Sequence, residues 1–246
     1  MRFKQFFRFV PNTITSFNVL SGCLSVIFAF EGNLFLAGIF IIIASVFDFF
    51  DGMSARVLHA YSDMGKELDS LADMLSFGFA PAVIAHLLVK NQLAPNTALV
   101  DMSALNFVLV FSPFIIAVFS ALRLAKFNID TRQSESFIGL NTPSNAMIWA
   151  SIPFIIKYSE NQFVLGTLEN VWFLIGLAIT LSLLLVAELP MFSLKFKNLK
   201  FADNKPRFIL ISLSIVLLIT LKLTAIPLII ITYIVLSLVN NFLTKK

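Results

Sequence analysis

Four aspartates stand in apolar surroundings. Asp48 and Asp51 follow the run LFLAGIFIIIASVF with no loop between, and Asp69 and Asp73 lie inside KELDSLADMLSFGFAPAVIAHLL. A carboxylate inside a membrane helix costs several kcal/mol unless it is paired or bound to a cation, so such residues are functional candidates by default. Their spacing sharpens this. Asp48 and Asp51 are i, i+3 and share one helix face; Asp69 and Asp73 are i, i+4 and share another, with Gly65 one turn before Asp69 on that face. A short turn around His59–Ser62 makes the two helices antiparallel neighbours and brings the pairs together. Four such charges repel strongly. Oxygen ligands without His or Cys suit Mg²⁺ or Mn²⁺, and two ions sharing carboxylates suit phosphoryl transfer.

The residues between the pairs add to this chemistry. Gly52 and Ala55 leave a strip of bare backbone beside Asp51, where a flat ligand can approach, and Arg56 offers a cationic fork for phosphate. Together they describe a diphosphate-plus-base site. Two competing readings stay open: small residues in membrane helices also serve helix packing, and Arg56 alone is also an orientation signal.

The elements that must position these groups follow from composition. Of 246 residues 58% are hydrophobic and 13% charged, about half the charged share of a soluble domain. That excludes a soluble globule and makes the chain an all-α integral membrane protein. Cys23 is the single cysteine, which excludes intrachain disulfides and cysteine-cluster metal sites. The amino terminus lacks the pattern of a cleaved signal peptide. Spans of about 20 apolar residues are expected near 13–30, 33–57, 63–89, 104–127, 143–159, 170–189, 207–222 and 224–243, the last two as a hairpin around Lys222–Thr224 and Pro227. Residues 1–10, MRFKQFFRFV, suit a short interfacial helix. His86, about four turns from Asp69, is expected to be a packed helix residue rather than a ligand. With the amino terminus in the cytoplasm and eight spans, 15 of 18 basic residues fall on the cytoplasmic side, leaving Lys90, Lys157 and Lys222 opposite. This fits the positive-inside rule. The cytoplasmic set includes Arg132, Lys245, Lys246 and a cluster from Lys195 to Arg207, which is placed to touch anionic lipid.

The stretch Asp48-Phe-Phe-Asp51-Gly52-Met-Ser-Ala55-Arg56, eight residues, Gly65, three residues, Asp69, three residues, Asp73 resembles the signature of the CDP-alcohol phosphatidyltransferase family, D-x2-D-G-x2-A-R-x8-G-x3-D-x3-D. All eight fixed positions match over 26 residues. Pro11, Asn12 and Thr15 resemble the family's Pro-Asn-x-x-Thr segment at the first span. The resemblance implies a six-helix catalytic core over residues 1–190, followed by a basic loop and transmembrane hairpin over 191–246. It implies that Asp48, Asp51, Asp69 and Asp73 hold two Mg²⁺ or Mn²⁺ ions and that Asp73 is also the base for the acceptor hydroxyl. Asn12, Thr15, Gly52, Ala55, Arg56 and Gly65 are implied at the CDP end of the donor, with Gly65 keeping the facing helix close. CMP is the implied leaving group.

The acceptor is addressed by a second stretch. Leu122–Asn128 (LRLAKFN) and Phe137–Pro143 (FIGLNTP) resemble the phosphatidylserine synthase branch, which carries Arg-Leu-Ala-Arg-Phe-Asn and Phe-x-Gly-Leu-Pro-x-Pro. Lys126 replaces the second Arg and keeps its charge; Asn141 replaces the first Pro and leaves the turn less constrained. CDP-diacylglycerol and L-serine are then the implied substrates, with Arg123, Lys126 and Asn128 at the acceptor. Arg123 suits a carboxylate, although Arg123 and Lys126 also read as interfacial anchors. The same family with glycerol 3-phosphate or inositol as acceptor is the nearest rival, and a cation transporter or membrane prenyltransferase a more distant one. Family analogy implies a homodimer in a bacterial inner membrane, in contact with membrane lipid and with no nucleic-acid partner.

Overall fold

The computed structural model describes residues 2–130, 136–192, 200–201 and 204–244; Arg132, Lys195, Lys197, Lys245 and Lys246 lie outside them. Helix α1 (Arg2–Phe30) runs unbroken through Pro11, so the amino-terminal segment expected to lie as a separate interfacial helix forms the first turns of the first long helix. Gly32, at φ 79, turns the chain, and Asn33 caps α2 (Leu34–Val57) by accepting the Leu36 N–H at 3.0 Å. α1 and α2 pack along their lengths.

After a turn in which His59 takes φ 49, Ser62 caps α3 (Asp63–Asp73) by accepting the Gly65 N–H at 3.0 Å. Immediately after Asp73 the helix widens into a π turn, Met74–Phe79, before α4 (Ala80–Leu93). The Ala80 N–H reaches back five residues to the Leu75 carbonyl, and Pro81 has no N–H to return to Phe77. α4 is the central helix, with most of its length buried.

α5 (Ala104–Phe111) and α6 (Ile115–Ile129) are joined by a 3₁₀ turn at Ser112–Phe114. α7 (Thr142–Tyr158), α8 (Gln162–Leu168) and α9 (Val171–Val186) follow, and α10 (Lys205–Leu221) and α11 (Ile226–Thr244) close the chain. Not foreseen from sequence is a two-stranded antiparallel ribbon. In it β1 (Ser136–Ile138) pairs with β2 (Pro190–Phe192), Ser136 opposite Phe192 and Ile138 opposite Pro190. One hydrophobic cluster, including Ile41, Phe77, Ile84, Trp149 and Leu174, continues into the C-terminal helices through Leu210, Ile230 and Tyr233.

Among the described residues, five helical runs are long and apolar enough to cross a membrane: Phe9–Phe30, Leu34–Val57, Asp63–Leu93, Ala104–Ile129 and Lys205–Phe242. A sixth arises if α8 and α9, bent by 70°, form one span. The expectation of about eight differs in two places. α7 has 17 residues, about 26 Å of helix, which is short for a hydrocarbon layer of about 30 Å. The last two expected spans fall in one helical run of 38 residues. A straight helix of that length would measure about 57 Å, far beyond one crossing. The break lies where expected, in a 3₁₀ turn at Lys222–Ala225 with Lys222 at φ 53 and ψ −137, and α10 and α11 contact each other.

Candidate active site

The last turns of α2 carry Asp48, Asp51, Gly52, Ala55 and Arg56; α3 carries Gly65, Asp69 and Asp73. The turn at His59 folds the two helices against each other, and one carboxylate oxygen each of Asp48, Asp51 and Asp69 then lie within 4.8 Å of one another. Asp73 stands within electrostatic reach of all three. At that separation two carboxylates repel by about 3 kcal/mol at an effective dielectric of about 20, so the arrangement calls for positive charge between them. The donor chemistry agrees. The ligand atoms are all carboxylate oxygens, and Asp51 Oδ2 and Asp73 Oδ1 are buried with no hydrogen-bond partner. A cluster of this kind can hold a hard divalent cation.

Beside the carboxylates opens a cavity of about 430 Å³. Asn12, Thr15, Gly52, Ala55, Arg56 and Gly65, the residues expected at the CDP end of the donor, all line it, together with Asp51 and Asp69. Gly52 faces open space: a Cβ there would meet only Arg56 Nη2, at 3.7 Å. Gly65 is different. A Cβ would come within 3.0 Å of Ser62 Oγ and 3.1 Å of Asn12 Oδ1, so the missing side chain lets α3 approach α1. Arg56 lines the cavity, and its Nε donates to the Gly52 carbonyl at 2.9 Å. Lys66 also lines the cavity and donates to the Asn128 carbonyl at 3.1 Å. Lys66 was not expected at the site; its place directly after Gly65 was the available signal.

The three expected acceptor residues each have a separate partner. Arg123 is 6% exposed, donates from Nε to the Leu140 carbonyl at 2.7 Å, and lies within electrostatic reach of Asp73. Lys126 turns to the surface and pairs with Glu188 at 3.0 Å, because the α9–β2 connection offers it an opposite charge. Asn128 donates from Nδ2 to Ser70 Oγ at 2.9 Å, tying the end of α6 to α3 next to Asp69. Asn141, standing where the resemblance has Pro, caps α7 by accepting the Ser144 N–H at 2.8 Å. His86 is a packed residue as expected: its Nδ1–H donates to the Val110 carbonyl at 2.7 Å between the rings of Phe111 and Phe114.

A family model described as CDP-alcohol phosphatidyltransferase matches residues 8–184, well over half of the sequence. The chain belongs to this family. Its eight signature positions are the ones that α2 and α3 bring to the carboxylate cluster and cavity. Among curated proteins it is similar to a CDP-diacylglycerol–serine O-phosphatidyltransferase of Bacillus subtilis, 34% identical over 65% of this chain and 82% of that protein. A protein of the same description from Helicobacter pylori (strain J99) is 30% identical over 84% of this chain and 80% of its own length. An archaetidylserine synthase of Methanothermobacter thermautotrophicus is 33% identical over 61% of this chain and 60% of that protein.

Proposed function

We propose that this protein is an enzyme of the phosphatidylserine synthase branch. It moves the phosphatidyl group of CDP-diacylglycerol to the hydroxyl of L-serine and releases CMP. The observation that carries the reading is the meeting of Asp48, Asp51 and Asp69 within 4.8 Å beside a cavity lined by Gly52, Ala55 and Arg56. The relatives named as serine phosphatidyltransferases support the acceptor.

Asp48, Asp51, Asp69 and Asp73 would hold a pair of Mg²⁺ or Mn²⁺ ions. Once bound, these supply neutralisation of the diphosphate and of the departing CMP oxygen. The remaining work falls to the chain. Gly52 and Ala55 admit the cytidine end against bare backbone, with Asn12 and Thr15 on the facing helix, and Arg56 holds a phosphate oxygen. Asp73 accepts the proton of the serine hydroxyl. The serine oxygen bonds to the phosphorus that carries diacylglycerol, the bond from that phosphorus to the CMP oxygen breaks, and CMP leaves with the electron pair. Arg123, buried and close to Asp73, receives the serine carboxylate; Lys126 and Asn128 flank that side.

The site then faces the cytoplasm of a bacterial inner membrane with both termini on the same side, an orientation that the distribution of basic residues supports. Residues 1–190 form the catalytic core and 191–246 the appended loop and hairpin, and the protein works as a homodimer among membrane lipid. The test is CMP release by purified protein in vesicles containing CDP-diacylglycerol, with L-serine, glycerol 3-phosphate or inositol supplied singly. Release with serine alone supports the reading. Release with another alcohol and not serine overturns the acceptor, and release with none overturns the activity.

A further inference from the structure

The chain continues past the matched family region, and its last helix reaches back toward the site. Tyr233 of α11 is 7% exposed; its hydroxyl donates to the Phe192 carbonyl at 3.0 Å and its ring stands edge-on to that of Phe192 at 5.2 Å. Phe192 ends β2, which pairs with β1. From β1 the chain turns through Gly139, at φ 78, whose N–H donates to the Leu189 carbonyl at 2.8 Å; the Leu140 N–H donates to the Leu184 carbonyl at 2.9 Å. A Cβ at Gly139 would lie 2.6 Å from the Leu185 carbonyl oxygen, so the strap lies flat on the end of α9 only because this residue is glycine. The strap presents the Leu140 carbonyl that accepts Arg123 Nε at 2.7 Å. Arg123 lies within electrostatic reach of Asp73 and of Tyr233. A continuous set of bonds therefore runs from α11 through the ribbon to the buried guanidinium of Arg123.

We propose that the C-terminal hairpin, through Tyr233 and the β1–β2 ribbon, sets the orientation in which Arg123 receives the acceptor's anionic group. With Nε fixed on Leu140, the guanidinium plane is fixed, and its two terminal nitrogens keep the fork that matches a carboxylate. Tyr233 is a positioning residue in this scheme, since its hydroxyl is engaged by Phe192. The inference rests on the reading of Arg123 as the acceptor-binding group. It assigns a role to helices that lie beyond the matched family region.

The experiment measures donor and acceptor kinetics by CMP release for the full-length wild type, Tyr233→Phe, Arg123→Lys and the double variant. Tyr233→Phe keeps the ring and loses only the hydroxyl. It should raise the acceptor KM about five-fold, the scale of one lost hydrogen bond, with donor KM and metal requirement unchanged. Arg123→Lys, which cannot make the Nε bond, should raise the acceptor KM further, and adding Tyr233→Phe to it should change nothing more. An acceptor KM for Tyr233→Phe equal to wild type, equal rises in donor and acceptor KM, or additive effects in the double variant would overturn the proposal. If the wild type answers to glycerol 3-phosphate and not to serine, the serine reading fails and the same four proteins test the positioning role on that alcohol's KM; a wild type that answers only to uncharged inositol would overturn the proposal.

Discussion

Gly52→Ala should separate stability from function in opposite directions. Gly52 lies within α2, where glycine costs about 1 kcal/mol relative to alanine. A Cβ at this position meets only Arg56 Nη2 at 3.7 Å, an ordinary contact. Nothing in the fold resists the methyl, so the variant should melt about 2–4 °C higher in a chain of this size. The same methyl projects into the 430 Å³ cavity, at the wall where the donor's nucleotide is to lie against backbone. Losing that approach should raise the KM for CDP-diacylglycerol at least ten-fold, equivalent to about 1.4 kcal/mol of binding. The assays are thermal unfolding in detergent and CMP release at saturating serine with the donor titrated. A donor KM equal to wild type would show that nothing approaches the backbone at Gly52. A lowered melting temperature would show that the fold itself needs the glycine.

Other substitutions probe the framework and the chemistry. Gly38→Ala drives a Cβ into the Ala150 carbonyl where α2 crosses α7. It should destabilise by about 1–3 kcal/mol, seen as a lower melting temperature, with donor KM unchanged in the folded fraction. Asp73→Asn keeps the shape of the side chain and removes the proton acceptor; CMP release should fall on the order of 10³-fold while labelled CDP-diacylglycerol still binds. Asn141→Ala removes the cap of α7 and should cost about 1 kcal/mol, read as a lower melting temperature.

The part of the site legible from sequence was the part governed by local arithmetic. Helical spacing places Asp48 with Asp51 and Asp69 with Asp73, and a turn as short as Leu58–Ser62 leaves the two helices no choice but to face each other. The structure brings three of these carboxylates within 4.8 Å. What sequence did not reveal depends on partners distant along the chain. Lys126 and Glu188 are 62 residues apart, and no local pattern announces their pairing. The β1–β2 ribbon has three residues per strand, too short for alternation to show. The π turn after Asp73 shows only in the backbone bond from the Ala80 N–H to the Leu75 carbonyl, which no residue type announces. Asn141 replaces a turn proline, and only its contact with Ser144 reveals it as a cap. Tyr233 is one aromatic in an apolar helix until the Phe192 carbonyl is found against its hydroxyl.

The central claim is that four aspartates on two facing helices assemble a divalent-metal centre that drives CMP release. The direct measurement is CMP release from CDP-diacylglycerol and L-serine by the full-length protein after removal of metal with a chelator, followed by readdition of Mg²⁺ or Mn²⁺, for wild type and Asp51→Asn. The account predicts no release without metal, recovery in the wild type on readdition, and no recovery in Asp51→Asn at the same metal concentration. Serine-dependent release that survives complete removal of metal would contradict it.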